Sequence, residues 1–138
     1  DLHKEYRRQR QMCIRDRYGI AGWNLGASLP NQSQYTLGII SQGMLPHRIT
    51  DAVSFFWTRQ TVNHKITRQQ EMQSDMGLPL LGGVGAPQTS FQVLELTYTA
   101  FISRGIKLLP DLQYIIHPDA NHVYPDALLA GFRFIAQF

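Results

Sequence analysis

The stretch LLAGFRFIAQF, residues 128–138, decides the fold class because apolar side chains recur in it at every second position. Its even positions are Leu128, Ala130, Phe132, Phe134, Ala136 and Phe138. The odd positions form a mixed set that includes the one charge of the stretch, Arg133. Successive side chains of a β-strand point to opposite faces of a sheet, so a period of two indicates a strand with one apolar face. The sequence therefore predicts a strand over 127–138.

Two segments upstream repeat this pattern. In IKLLPDLQYII, residues 106–116, the even positions are apolar or aromatic, Pro110 included, and the polar residues Lys107, Asp111 and Gln113 take odd positions. In residues 91–102 apolar and tyrosine side chains take the even positions from 94 to 102, and Glu95 lies between them. Weaker alternation marks 18–27, 33–42 and 52–62. The predicted fold class is thus all-β, with six antiparallel strands.

The lengths of the predicted strands and of their connections distinguish between two candidate folds. The predicted strands run to about 9–12 residues, against about 5–6 in soluble proteins and about 9–11 for a strand that crosses a bilayer. Short turns at 103–105 and 43–51 alternate with a long connection, 63–90, for which no secondary structure is predicted. The link 28–32 is an exception, because it is short although it should lie on the side of the long loops. Long loops on one side and short turns on the other are typical of a transmembrane β-barrel. A soluble β-sandwich whose aromatic residues fill a core is the alternative.

Composition excludes several classes of protein. A chain of 138 residues with 43% hydrophobic residues is one domain or part of one. Its net charge of +3 lies entirely in residues 1–17, since residues 18–138 carry equal numbers of basic and acidic groups. No basic stripe for nucleic acid is therefore expected. The single cysteine, Cys13, excludes a disulfide framework and a cysteine-based zinc site. No motif of nucleophilic catalysis or cofactor binding is present, so no catalytic residue and no cofactor is predicted.

Residues 1–17 are predicted to be a non-native tail, which places the domain at 18–138. They have neither a helical nor a strand period that continues into the following segment, and QMCIRDR, residues 11–17, resembles a translated sequencing adapter. On this interpretation the natural upstream chain is missing. The alternative is a basic arm that binds an anionic surface.

Four segments carry a resemblance to a known family. LPDLQYIIHP (109–118) and ALLAGFRF (127–134) resemble the closing strands of the carbohydrate-selective porins, the OprB family, which read QPDLQYIINPGG and NALVLGLRF. VLELTY (93–98) and GMLPHR (43–48) are similar to a strand and a turn of the same family, in the same order. The chain departs from the family at 117–122, which reads HPDANH, and the loop 63–90 matches no segment that we recognise.

The resemblance implies that residues 18–138 are the last six strands of an outer-membrane barrel of about sixteen antiparallel strands. Its function would be passive diffusion of monosaccharides or other small carbohydrates into the periplasm. It implies outer-membrane lipid and the barrel-assembly machinery, through the C-terminal strand, as partners. It also implies a periplasmic C-terminus, and a homo-oligomer is possible in this family. Two alternatives stay open: another outer-membrane barrel, such as an enzyme or adhesin, and a soluble β-sandwich binding module.

Strand parity predicts the site residues. Pore-lining, sugar-contacting residues are expected at Glu95, Thr97, Thr99, Lys107, Asp111, Gln113 and Arg133. Membrane-interface aromatic residues are expected at Trp57, Tyr98, Tyr114 and Phe138, because amphipathic rings favour headgroup depth. His117 and His122 flank Asp119 but lack a third ligand, so no metal site is predicted.

Overall fold

A computed structural model describes residues 15–23 and 30–137 of the chain. In this part of the chain six strands form one antiparallel sheet in which each strand pairs with its neighbour in the sequence. The strands are β1 (Arg15–Trp23), β2 (Asn31–Gln42), β3 (Ala52–Val62), β4 (Ser90–Ser103), β5 (Ile106–Ile116) and β6 (Ala127–Ala136). A helix, α1 (His64–Asp75), follows β3, and a 3₁₀ turn, Pro118–Ala120, follows β5. The predicted all-β antiparallel fold is confirmed.

Five predicted strand boundaries need correction, and two of them belong to β4, which runs over Ser90–Ser103 and not over 91–102. The first strand begins at Arg15 and not at residue 18, because backbone pairing of Arg15 with Ser41 and of Arg17 with Ile39 needs no alternating side chains. Its predicted end, 24–27, lies outside the described residues, and the division of the chain at residue 17 stays a prediction. β2 begins at Asn31, two residues early, and β6 ends at Ala136.

The prediction that the connection 63–90 lacks secondary structure is wrong, because α1 occupies its first half. The Asn63 side chain caps this helix by accepting a hydrogen bond from the Lys65 backbone N–H at 3.1 Å. The helix sequence, HKITRQQEMQSD, is mostly polar. It therefore has no apolar stripe with a helical period, which is the pattern that identifies a helix from sequence. Within the described residues, no helix is long and apolar enough to cross a membrane.

The strand register gives the sheet two chemically distinct faces. Residues paired across neighbouring strands point to the same side, so the pairs Leu37–Trp57, Phe55–Leu96 and Leu96–Leu112 fix one face through four strands. We call this side the apolar face. Ser33, Ser41, Thr61 and Ser90 lie on it near the strand ends, and its larger members are Tyr35, Leu37, Ile39, Val53, Phe55, Trp57, Arg59, Gln92, Leu94, Leu96, Tyr98, Leu108, Leu112, Tyr114, Leu128, Phe132 and Phe134.

The two ends of the sheet also differ. The turns after β2 and β4 lie at one end, called here the turn end, and the connections after β3 and β5 lie at the opposite loop end. Apolar-face side chains of β6 are strongly exposed, Phe132 at 75% and Leu128 at 64%. An exposed apolar patch of this extent in an aqueous protein marks a surface that contacts another apolar phase or partner.

Candidate functional site

The opposite side of the sheet, called here the polar face, brings together all seven predicted pore-lining residues. Glu95 pairs with Gln113, Thr97 pairs with Asp111, and Arg133 lies opposite Leu109. Thr99 and Lys107 share this face, whose further polar members are Gln34, Thr36, Gln42, Ser54, Thr58 and Gln60. Its apolar members are Ile40, Phe56, Phe91, Val93, Phe101, Leu109, Ile115, Leu129 and Ile135. The register thus assembles donors and acceptors from β2 to β6 on one surface, and the pore-lining role of the seven stays a prediction.

Hydrogen bonds on the polar face join neighbouring side chains, and they do not pair its charged groups with each other. Thr97 Oγ1 donates to Glu95 Oε1 at 3.2 Å. Lys107 Nζ lies 5.0 Å from the centroid of the Phe101 ring, which is a cation–π contact. Among the described residues the ion pair found is Arg48–Asp51, which lies off this face. Both signs of charge therefore remain available to a polar solute.

Sequence reasoning missed the polar residues of β2 and β3. Thr36 and Thr58 are paired across these strands, and their hydroxyl oxygens lie 3.1 Å apart. Gln34 pairs with Gln60 in the same register. The polar residues of these two strands do share one parity in the sequence. Apolar residues such as Phe56 and Ile40 have the same parity, however, and they interrupt the pattern.

The predicted interface aromatics Trp57, Tyr98 and Tyr114 all lie on the apolar face. Each has its polar group satisfied: Trp57 Nε1 donates to Gln92 Oε1 at 2.9 Å, Tyr98 donates to Asp51, and Tyr114 donates to Asp126 at 2.9 Å. The two aspartates lie just outside opposite ends of the strands. Aromatic rings with an apolar body and a hydrogen-bonded polar tip suit a boundary between apolar and aqueous phases. Phe138 lies outside the described residues, and the interface role of all four stays a prediction.

Asp51 connects the turn after β2 to strand β4 through hydrogen bonds. It is only 3% exposed, and it accepts hydrogen bonds from the Tyr98 hydroxyl, from the Phe101 backbone N–H at 3.0 Å and from Arg48 Nε at 2.6 Å. The Tyr98 hydroxyl is the main cause that lowers the pKa of Asp51 below its ordinary value of 3.8, and the other two donors add to it against the opposing effect of burial. Asp51 is therefore held as a carboxylate.

This lowered pKa predicts acid sensitivity at the turn end. A carboxyl group whose pKa is lower in the folded state stabilises the fold above its unfolded pKa of about 3.9, and this stabilisation is lost as the pH falls through the folded pKa. We expect the denaturant midpoint of the refolded protein, measured by tryptophan fluorescence, to fall between pH 5 and pH 3 by less in Asp51→Asn than in the unmodified protein. Asp75→Asn, at the exposed end of α1, is the matched control and should keep the unmodified pH dependence. Parallel curves for the unmodified and Asp51→Asn proteins would contradict the assignment.

The connections at the loop end fold over the polar face. A cavity of about 410 Å³ is lined by Ile66 of α1 and Ala120 of the 3₁₀ turn, together with Phe91, Val93 and Ile115 of the polar face. The His117 and His122 rings meet edge to face, with centroids 3.9 Å apart. Within the described residues, no group of three histidine, cysteine or acidic side chains is placed to hold a metal ion.

The chain is similar to a known protein family and to a solved structure. The model of the carbohydrate-selective porin, OprB family matches residues 16–138. The solved structure titled "High pH structure of Pseudomonas putida OprB" is similar in fold, with a TM-score of 0.71 and 23% sequence identity. The match covers 79% of this chain and 27% of that chain, so this chain spans about a quarter of the solved protein. Among curated proteins none matches this chain. The six strands are thus a fragment of a barrel.

Proposed function

This chain belongs to the carbohydrate-selective porin, OprB family, and on that premise we propose that residues 18–138 form the C-terminal part of a bacterial outer-membrane channel for the passive diffusion of small sugars. The observation that carries the proposal is the separation of the sheet into an apolar face and a polar face. An apolar exterior suits lipid, and a polar interior suits a water-filled lumen. The protein is proposed to act as a channel and not as an enzyme.

The chemistry of the polar face supports a neutral, hydroxyl-rich solute. Glu95 and Asp111 supply acceptors, Lys107 and Arg133 supply donors, and Gln113 supplies both. A sugar crossing a lumen exchanges its hydration for such groups, and weak binding at several of them permits release. A channel for ions of one sign would favour a ring of one charge, whereas this face carries both signs.

The alternation of connections supports an orientation. Outer-membrane barrels have short periplasmic turns and longer extracellular loops. We therefore place the turn end and the C-terminus on the periplasmic side, and α1 with the 3₁₀ turn outside the cell. Recognition of the C-terminal strand by the barrel-assembly machinery, and assembly into a homo-oligomer, follow from the family and are part of the proposal.

The test is single-channel conductance of the refolded full-length parent protein in planar bilayers, titrated with glucose and with a disaccharide. We expect saturable block of the ion current by sugar. Arg133→Ala and Glu95→Gln should each weaken this block by about 2- to 10-fold, which corresponds to one hydrogen bond to a charged or polar group. Arg59→Ala is the matched control, because Arg59 pairs with Tyr35 and Gln92 on the apolar face. It should leave the block unchanged.

Other outcomes point to other functions. Conductance that sugars do not affect would leave a general diffusion pore and contradict sugar selectivity. Failure to conduct, combined with a fold that is stable without detergent, would contradict the membrane assignment and favour a soluble β-sandwich binding module.

A further inference from the structure

Gln88 joins the two long connections at the loop end. Its Nε2 donates to the Asp119 backbone carbonyl and to Asp119 Oδ1, both at 2.9 Å. Its backbone N–H donates to Gln70 Oε1 at 2.8 Å, and its Oε1 accepts from Gln70 Nε2 at 3.1 Å. Gln70 is completely buried. The amide of Gln88 therefore links helix α1 to the connection between β5 and β6, which are otherwise distant in sequence.

Neighbouring contacts make this junction a single unit, which we call the latch and define as Gln70, Gln88 and Asp119. Thr67 Oγ1 donates to the Gln88 carbonyl at 2.6 Å, which holds α1 against the segment that precedes β4. The Thr89 N–H donates to the Ala120 carbonyl at 2.7 Å, which holds that segment against the 3₁₀ turn. Movement of one connection therefore requires movement of the other.

The backbone beside the latch has a conformation that side-chain contacts must maintain. His117, Asp119 and Ala120 have φ values of 55°, 57° and 58°, a region that residues other than glycine seldom adopt. Such conformations persist where surrounding contacts impose them. The contacts that hold this turn include those of Gln88 and of Asn121 Nδ2 with Asp119, that of the Thr89 N–H with the Ala120 carbonyl, and that of the His117 N–H with Asp126 Oδ1 at 3.1 Å. Loss of the Gln88 side chain should therefore break the link from the 3₁₀ turn to Gln70 of α1 and loosen the turn.

The latch lies on the side of the polar face, at the loop end of the sheet. Gln88 and Asp119 line the same cavity as Phe91, Val93 and Ile115, and these three side chains belong to the polar face. α1 reaches the cavity through Ile66. In a closed barrel the polar face surrounds the lumen. Residues of α1 and of the 3₁₀ turn that lie against this face therefore occupy part of the cross-section of the lumen at the loop end.

We infer that the latch holds α1 and the 3₁₀ turn as one inward wall that narrows the channel at its loop end, with Gln88 as the positioning residue. The inference rests on the proposed function, because it requires the polar face to line the lumen. Pore diameter and the groups that line it set both conductance and solute preference. Release of the wall should therefore raise the conductance and weaken discrimination between sugars of different size.

Gln88→Glu in the full-length parent tests this. The substitution replaces the donor Nε2 by an oxygen that faces the Asp119 carbonyl and carboxylate, so repulsion replaces two hydrogen bonds. We expect the single-channel conductance to rise by about 1.5- to 2-fold and the preference for glucose over a disaccharide to fall. Gln69→Glu, which introduces the same charge at an exposed position of α1, should leave both quantities unchanged. Adding Asp119→Asn to Gln88→Glu restores a donor opposite the new carboxylate and should recover part of the original conductance.

The controls separate failure of the inference from failure of the proposed function. Gln88→Ala removes the same amide without adding charge, and it carries the test if Gln88→Glu does not refold. Unchanged conductance and size preference in the folded variant, in a parent that sugar does block, would overturn the inference alone. A parent without conductance would overturn the proposed function instead.

Discussion

Leu96→Arg is expected to destabilise the refolded parent barrel by about 2–4 kcal/mol, the cost of an arginine on the lipid face near the bilayer midplane. Leu96 lies midway along β4 and pairs with Phe55 on one side and Leu112 on the other. These neighbours are apolar, so an inserted guanidinium would find no partner among them. The next residue, Thr97, pairs with Ser54 and Asp111 on the polar face. Thr97→Arg should therefore change stability by less than about 1 kcal/mol.

The measurement is denaturant unfolding in lipid vesicles, followed by tryptophan fluorescence, for both variants and the unmodified protein. The two substitutions add the same side chain at adjacent positions of one strand. The difference between their free energies of unfolding therefore reports the effect of the face on which the arginine lies. Equal destabilisation of the two variants would contradict the assignment of an apolar exterior. Greater damage from Thr97→Arg would invert the assignment of the two faces.

Gly105→Val is expected to have an effect of similar size, about 2–4 kcal/mol, because it combines an unfavourable backbone conformation with a steric clash. Gly105 lies in the turn between β4 and β5 at a φ of +82°, where a β-branched residue is strongly disfavoured. A Cβ there would overlap the backbone carbonyl oxygen of Gln137. The clash has no easy relief, since the Gln137 N–H donates to the Gly105 carbonyl at 2.8 Å.

Gly22→Val is the matched control for this prediction. A Cβ at Gly22 meets no atom within 4 Å, and Gly22 is absent from the glycines with positive φ. The fraction of parent protein that migrates as a folded barrel in unheated detergent gels should fall sharply for Gly105→Val and stay near the unmodified value for Gly22→Val. Equal yields would mean that the turn tolerates rearrangement and that its geometry does not direct pairing of β4 with β5.

Local alternation was sufficient to predict the sheet but not the connections. The bounds of β3 and β5 agree with the residues predicted, 52–62 and 106–116, because side-chain parity is a property of each strand alone. The common face of Glu95, Asp111 and Arg133 also followed from parity, although it needed the register to be the one observed. The helix α1 was missed because its sequence carries no apolar stripe.

The latch could not be predicted from the sequence for a different reason. Gln70, Gln88 and Asp119 are common polar residues separated by 18 and 31 positions. Nothing in their spacing distinguishes them from solvated loop residues. Their relation depends on the path of two connections in space, and on positive φ values at residues that do not favour them. Polar networks of this kind are visible only once the backbone is placed.

The pairing of each strand with its immediate neighbour in the sequence has a consequence for how such a protein is assembled and how it evolves. Partners that are close along the chain meet quickly, since little chain entropy is lost in bringing them together. The sheet can therefore grow by one hairpin at a time from an existing edge. Duplication or loss of a whole hairpin changes the pairing only where the flanking strands meet, and all other strands keep their partners, so the circumference of the parent can change over evolution with adjustment at that one seam.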